Sequence, residues 1–112
     1  MYAQITGIRV PLNKMPQLRQ VIESNYLPVV RQRPGFLAGY LLEQVDDPNS
    51  AELVLFWDSH DAVECFNRTG LLQASIYGLA ADIPGVEIQR QGYTVPLAVR
   101  AVAVHELAEA GV

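Results

Sequence analysis

Hydrophobic positions in this chain follow two different periods. Met15, Leu18, Ile22, Tyr26, Val29 and Val30 fall mostly at three- and four-residue spacings, which predicts one apolar face of a helix. Asn13 is placed to cap that helix, and Pro16 sits in its first turn, where a missing N–H does no harm. Pro28 lies inside it and should kink it by removing the bond to the carbonyl of Ser24; Pro34-Gly35 stops it. Four other stretches read as strands: residues 2–10, ended by Pro11; residues 36–45, FLAGYLLEQV; residues 51–58; and Val86 to about Val95. The turn cluster Asp46-Asp47-Pro48-Asn49-Ser50 makes a hairpin of the second and third strands. Two short helices are expected near 60–68 and 71–81, broken at Gly70, and Ile83-Pro84-Gly85 turns the chain into the last strand.

The predicted order is β-α-β-β-α-β, the ferredoxin-like α+β pattern: a four-stranded antiparallel sheet with helices on one face. The third strand is apolar on both sides. Leu53, Leu55 and Trp57 point one way, Val54 and Phe56 the other. In the second strand the same alternation sets Phe36, Tyr40 and Leu42 against Leu37, Leu41 and Val45. Helices cover one face of such a sheet, so the other needs a cover too. A second copy of the chain is the expected partner, because an apolar patch of that size exceeds what a soluble monomer normally exposes. Composition agrees. In 112 residues, half are apolar and only 18% are charged, more apolar surface than one small core requires. One domain is expected at this length.

Charge and cysteine content exclude several classes. The net charge is −4 and there is no basic run, which argues against nucleic acid, since phosphate binding needs clustered Lys and Arg. The single Cys65 excludes an intrachain disulfide and a multi-cysteine metal site, and a reducing cytoplasmic setting is expected. The N-terminus lacks the pattern of a signal peptide, and no apolar run approaches the ~20 residues of a membrane span. No metal-ligand spacing and no glycine-rich phosphate loop appears, so neither metal nor cofactor is expected.

Three stretches carry a family resemblance: Val29-Val30-Arg31-Gln32-Arg33-Pro34-Gly35-Phe36, then Trp57-Asp58-Ser59-His60-Asp61-Ala62, then Pro84-Gly85-Val86-Glu87. Together they resemble the antibiotic biosynthesis monooxygenase (ABM-like) domain over about residues 1–95. Residues 96–112 form an extension beyond it, an Ala/Val-rich tail that reads equally as a continued strand or a short helix and could serve as a dimer arm, with His105 an interface or surface residue. The resemblance implies a dimeric α+β barrel in which two sheets meet face to face. It also implies a small-molecule enzyme, since the family includes cofactor-free oxygenases of phenolic polyketides. It includes haem-degrading enzymes and members with no known reaction as well. The alternative on the same fold is a non-catalytic small-ligand binder or stress-associated dimer.

In the polyketide-oxidising members a tryptophan at the strand-to-helix corner helps hold the aromatic substrate, which makes Trp57 the leading substrate-binding candidate, with Phe66 and Tyr77 beside it. A core tryptophan anchoring the helix is the structural alternative. A cavity between the sheet and the helices near 60–80 is expected at Trp57. The asparagine, tyrosine and arginine that accompany that tryptophan in those members fall here near Leu53, Val63 and Tyr77, so a phenol oxidase on this chain would use other groups: Tyr77, Asn67 or Arg90. The residues of the haem-degrading branch fall near Gly7, Phe66 and Ile76, which does not favour haem chemistry. Ser59 is a good N-cap, which makes His60 the first helical residue; beside Asp58 and Asp61 it could also shuttle a proton. Arg90 shares a face with Val86 and Ile88, where it lines a polar pocket or pairs with a carboxylate such as Glu43 or Glu52. Cys65 has no local activating group and reads as an inert, partly buried thiol.

Overall fold

The structure is a computed structural model; it describes residues 1–102, with the backbone alone over residues 72–76. The elements follow the expected order. They are β1 (Tyr2–Arg9), α1 (Met15–Val21), a π-helical turn (Ile22–Tyr26), α2 (Leu27–Val30), β2 (Phe36–Glu43), β3 (Ser50–Trp57), α3 (His60–Arg68), α4 (Leu71–Asp82) and β4 (Glu87–Thr94). The four strands form one antiparallel sheet in the order β2-β3-β1-β4, so the doubly apolar β3 lies inside the sheet, between β2 and β1. This is the ferredoxin-like α+β arrangement. Helices pack on one face, where Ile8, Leu53, Leu55 and Trp57 meet Met15, Leu18, Ile22, Tyr26, Val63, Phe66, Leu79 and Ile83 in a single core.

The first helical segment differs from expectation in three ways. Asn13 does not cap it: Asn13 takes a left-handed conformation (φ 66°), which asparagine tolerates better than most residues, and Lys14 occupies the cap position without a side-chain bond. Val29 faces out, while Met15, Leu18, Ile22, Tyr26 and Val30 form the buried stripe. The kink expected from Pro28 is a widened turn just before it, in which the N–H of Leu27 donates to the carbonyl of Ile22. A proline ring would crowd the carbonyl of Ser24 in a regular helix, and the wider turn accommodates a residue with no N–H to give.

In β2 a bulge between Phe36 and Ala38 overturns the simple alternation. Phe36 and Leu41 face the helices, while Tyr40 and Leu42 face the other way, because the extra residue, Leu37, shifts the phase of the pleat. The strand ends at Glu43, and Val45 is exposed in the turn. The open face carries Ala3, Ile5, Ala38, Tyr40, Leu42, Val54, Phe56 and Tyr93 by register. Part of it covers itself: the Tyr40 and Phe56 rings meet edge to face at 6.2 Å, and Val54 is buried. Cys65 is exposed rather than partly buried. Residues 96–102 form neither strand nor helix, and Leu97, Val99 and Val102 are exposed. The rest of the tail, with His105, lies outside the described residues.

Candidate functional site

Two of the sequence stretches interlock at one corner. Gly35 has φ 84°, and a Cβ there would lie 2.5 Å from the Cβ of Ala62 and 2.6 Å from Oδ1 of Asp58. Its carbonyl accepts from the N–H of Asp58 at 2.8 Å. Only glycine fits both the backbone conformation and the contact, and only a small residue at 62 lets the α2–β2 loop sit on α3. Ser59 caps α3 as expected, its hydroxyl accepting from the N–H of Ala62 at 3.2 Å, with Asp61 in the first turn. This corner fixes Trp57. The ring of Phe36 meets the indole edge-on (5.4 Å, 76°), and Phe66 stacks on it (5.4 Å, 29°). Trp57 is 0% exposed, so the opening expected beside it is closed here. Its indole N–H is nevertheless buried without an acceptor among the described residues.

The ladders place a second polar group beside it. Tyr2 pairs with Trp57, and Gln4 with Leu55, so Gln4 and Trp57 are diagonal neighbours on the helix-facing side. Gln4 is 5% exposed, and its Oε1 has no donor among the described residues. A third unpartnered atom, Nε of Arg33, lies in the α2–β2 loop. On the other flank of β1, Gln4 faces Gly92 and Thr6 faces Arg90. The space that a side chain at 92 would need is taken by the hydroxyl of Tyr2. Tyr26, at the end of the π-helical turn, is buried on this side. Burial pushes its phenol up to about 12, and the positive charge of Arg90 pulls the other way, so the field of Arg90 reaches that hydroxyl.

His60 stands at the start of α3, its ring 5.0 Å from that of Tyr2 and its Nε2 3.3 Å from Oε1 of Glu64, so its carboxylate neighbour is Glu64 rather than Asp58 or Asp61. Arg90 does not pair with either suggested carboxylate: Glu43 takes two bonds from Arg19, at 2.7 and 2.8 Å, and Glu52 is on the opposite face of the sheet. Asn67 and Tyr77 are exposed on α3 and α4, Tyr77 at 66%. Gln4 and Tyr26 were not singled out by sequence reasoning. The available signal was the polar pair Gln4 and Thr6 at alternate positions of β1, which becomes meaningful only once the register turns them toward the helices. A cavity of about 770 Å³, lined by Gly7, Arg9, Leu42, Glu52, Glu87 and Gln89 among others, opens on the other face, at the hairpin end of the sheet. Among the described residues no cluster of three His, Cys, Asp or Glu could hold a metal ion, and no helix is long and apolar enough to cross a membrane.

No family model matches the chain, and no curated protein matches it. Solved structures do. A Deinococcus radiodurans protein provisionally named an antibiotic biosynthesis monooxygenase is 19% identical, with a TM-score of 0.75 over 92% of this chain and 100% of its own. A variant of SnoaB, a cofactor-independent oxygenase from Streptomyces nogalater, is 19% identical, with a TM-score of 0.74 over 89% of this chain and 97% of its own. The chain has the antibiotic biosynthesis monooxygenase fold. A variant of MhuD with two manganese protoporphyrin IX molecules bound per active site shares the fold too, at 22% identity and a TM-score of 0.68, over 90% of this chain and 100% of its own. One ABM-type backbone thus appears in a cofactor-independent oxygenase and in a metalloporphyrin-binding protein, and the fold by itself does not select a reaction.

Proposed function

We propose that the helix-covered side of the sheet binds a small aromatic molecule with a phenolic or quinol hydroxyl and oxidises it with molecular oxygen, without a cofactor. The observation that carries this reading is the pair of buried, unpartnered polar atoms there, the indole N–H of Trp57 and Oε1 of Gln4. Buried polar groups are nearly always paired, so a donor and an acceptor left open side by side on one face are best explained by a ligand that completes them. Likeness in fold to SnoaB supports the reaction type. In this scheme Arg90, whose charge already opposes the rise in Tyr26, stabilises the negative charge that the ionised substrate spreads through its ring to the oxygen facing Arg90. The phenolate ring reacts with O₂: one oxygen atom forms a new carbonyl on the ring, and the other leaves as water with the phenolic hydrogen and one ring hydrogen. All four electrons come from the substrate, so no reductant is required. Trp57 and Phe66 back the site, and since both are fully buried, α3 must shift for either ring face to touch the substrate. Oxygen uptake over a panel of phenols and quinols, with no cofactor added, tests the scheme; no uptake with any compound that binds would sink it.

A second reading, binding without turnover, is favoured by one observation: Phe66 fills the space against Trp57, and Leu53 stands where the polyketide oxidisers carry an asparagine. Tight binding with no oxygen uptake would establish it.

The assembly in this proposal is a homodimer through the open face, where Tyr40 is 55% exposed beside Leu42 on one edge strand and Tyr93 is exposed on the other. Residues 1–95 form the barrel half, and the tail from Pro96, with exposed Leu97, Val99 and Val102, reaches the partner. The lone, free Cys65 suits a cytoplasmic setting. Sedimentation at micromolar concentration tests the dimer, and deletion of residues 97–112 tests the arm. A stable monomer refutes the first, and an unchanged dimer affinity the second.

A further inference from the structure

Gln4 and Arg90 are diagonal neighbours across the β1–β4 ladder, roughly 7–8 Å apart at the backbone. Gln4 presents a buried acceptor that its ladder partners Leu55 and Gly92 cannot satisfy, since neither has a side-chain donor. Thr6, the next residue on that face, leaves it unpaired, as does the indole of Trp57. Arg90, exposed on the edge strand β4, presents a positive charge that makes no ion pair among the described residues and is open to a ligand from solvent. A group that fills the first requirement must donate a hydrogen bond. Near Arg90 it cannot be a cation, because like charge would repel it, so a neutral hydroxyl fits and an ammonium does not. A group that meets Arg90 must carry an anionic or carbonyl oxygen.

We propose that Gln4 and Arg90 together determine specificity, selecting a rigid aromatic with a hydroxyl at one end and an anionic or carbonyl oxygen at the other. The inference rests on the reading of this side of the sheet as an aromatic-binding site. It adds a direction: the hydroxyl lies at Gln4 and the second oxygen at Arg90. Removing the hydroxyl from the ligand leaves a buried acceptor unpaired, the situation in which polar sites discriminate best.

Three naphthalenes separate the contributions: 6-hydroxy-2-naphthoate carries both groups, 6-methoxy-2-naphthoate lacks the donor, and 2-naphthol lacks the carboxylate. Each is titrated by calorimetry at pH 7 into the full chain, into Gln4→Met and into Arg90→Gln. The wild type should prefer the hydroxy over the methoxy compound by at least about tenfold. Gln4→Met, which keeps side-chain length without an amide, should bind the two equally. Arg90→Gln should weaken both naphthoates by a similar factor and leave 2-naphthol unchanged. Should Gln4→Met not fold by circular dichroism, Gln4→Asn, which withdraws the acceptor by one methylene, must lose the same preference. Equal binding of the hydroxy and methoxy compounds by the wild type, or a preference that survives at position 4, overturns the inference and leaves an aromatic site standing. If none of the three binds the wild type, both the inference and the aromatic reading fall.

Discussion

The two ends of the sheet treat their polar groups in opposite ways. At the hairpin end, Asp47 accepts from the N–H of Asn49 at 3.0 Å, from the hydroxyl of Ser50 at 2.8 Å and from the guanidinium of Arg9 at 3.0 Å. These groups are at or near the surface and complete one another, and they pin the β2–β3 turn to β1. At the other end, Trp57 and Gln4 are buried with a donor and an acceptor open. A buried group without a partner costs about 1–3 kcal/mol, whereas water could have satisfied a surface one. Paired polar groups at one end hold the fold together. Unpaired ones at the other weaken it.

Removing the support of the unpaired end should have the largest effect. Gly35→Ala forces a β-carbon into Ala62 and Asp58 at a left-handed backbone position, and should cost roughly 3 kcal/mol in urea unfolding. A cost below ~1 kcal/mol would mean that the corner holding Trp57 is soft.

Tyr26 gives the next largest effect, and its sign follows from its raised value. Below pH 10 the phenol is protonated in both folded and unfolded chains. Above that, the unfolded chain ionises first, so stability is lost as pH rises toward 12, by about 2–3 kcal/mol. Tyr26→Phe should flatten the stability curve in that window; a curve parallel to wild type would remove Tyr26 from the buried group.

Gln4→Met should go the other way from most core substitutions, raising the unfolding free energy by about 1 kcal/mol, because it deletes an unsatisfied acceptor and keeps the volume. A loss of stability would reveal a partner for Gln4 and erase the contrast between the two ends.

The smallest change concerns the paired end. Asp47 is held below its ordinary value, first by the Asn49 N–H and the Ser50 hydroxyl and then by Arg9. A depressed carboxylate stabilises the fold above its unfolded value near ~3.9 and loses that contribution as pH falls through the folded one. Asp47→Asn should therefore make unfolding less sensitive to acid in that range while leaving ligand binding unchanged. A change in binding would connect the two ends.

The same contrast separates what was legible in the sequence from what was not. Residues at the corner announced themselves: Pro34-Gly35-Phe36 and Trp57-Asp58-Ser59-His60-Asp61-Ala62 have local causes, a left-handed glycine, an N-cap and a small residue at a contact. The open groups did not. Gln4 is an ordinary polar residue in a strand, and nothing local distinguishes it from Gln89 or Gln91, which are exposed on the other face. Simple alternation puts Phe36 on one face with Tyr40 and Leu42, whereas it lies opposite them, because one bulged residue inverts the alternation on which face grouping depends.

By itself the sequence determined the order and type of the elements, the break at Gly70, the cap at Ser59 and the apolar character of both faces of β3, because each follows from local conformation or from periodicity along a few residues. Tertiary structure alone decided the pairing of Tyr2 with Trp57 and of Thr6 with Arg90, the widened turn that ends at Tyr26, and the burial of Gln4. Those outcomes depend on register and on packing between segments more than fifty residues apart in the cases of Trp57 and Arg90. A hydrogen-bond acceptor becomes informative only when the rest of the chain has closed around it and left it without a donor.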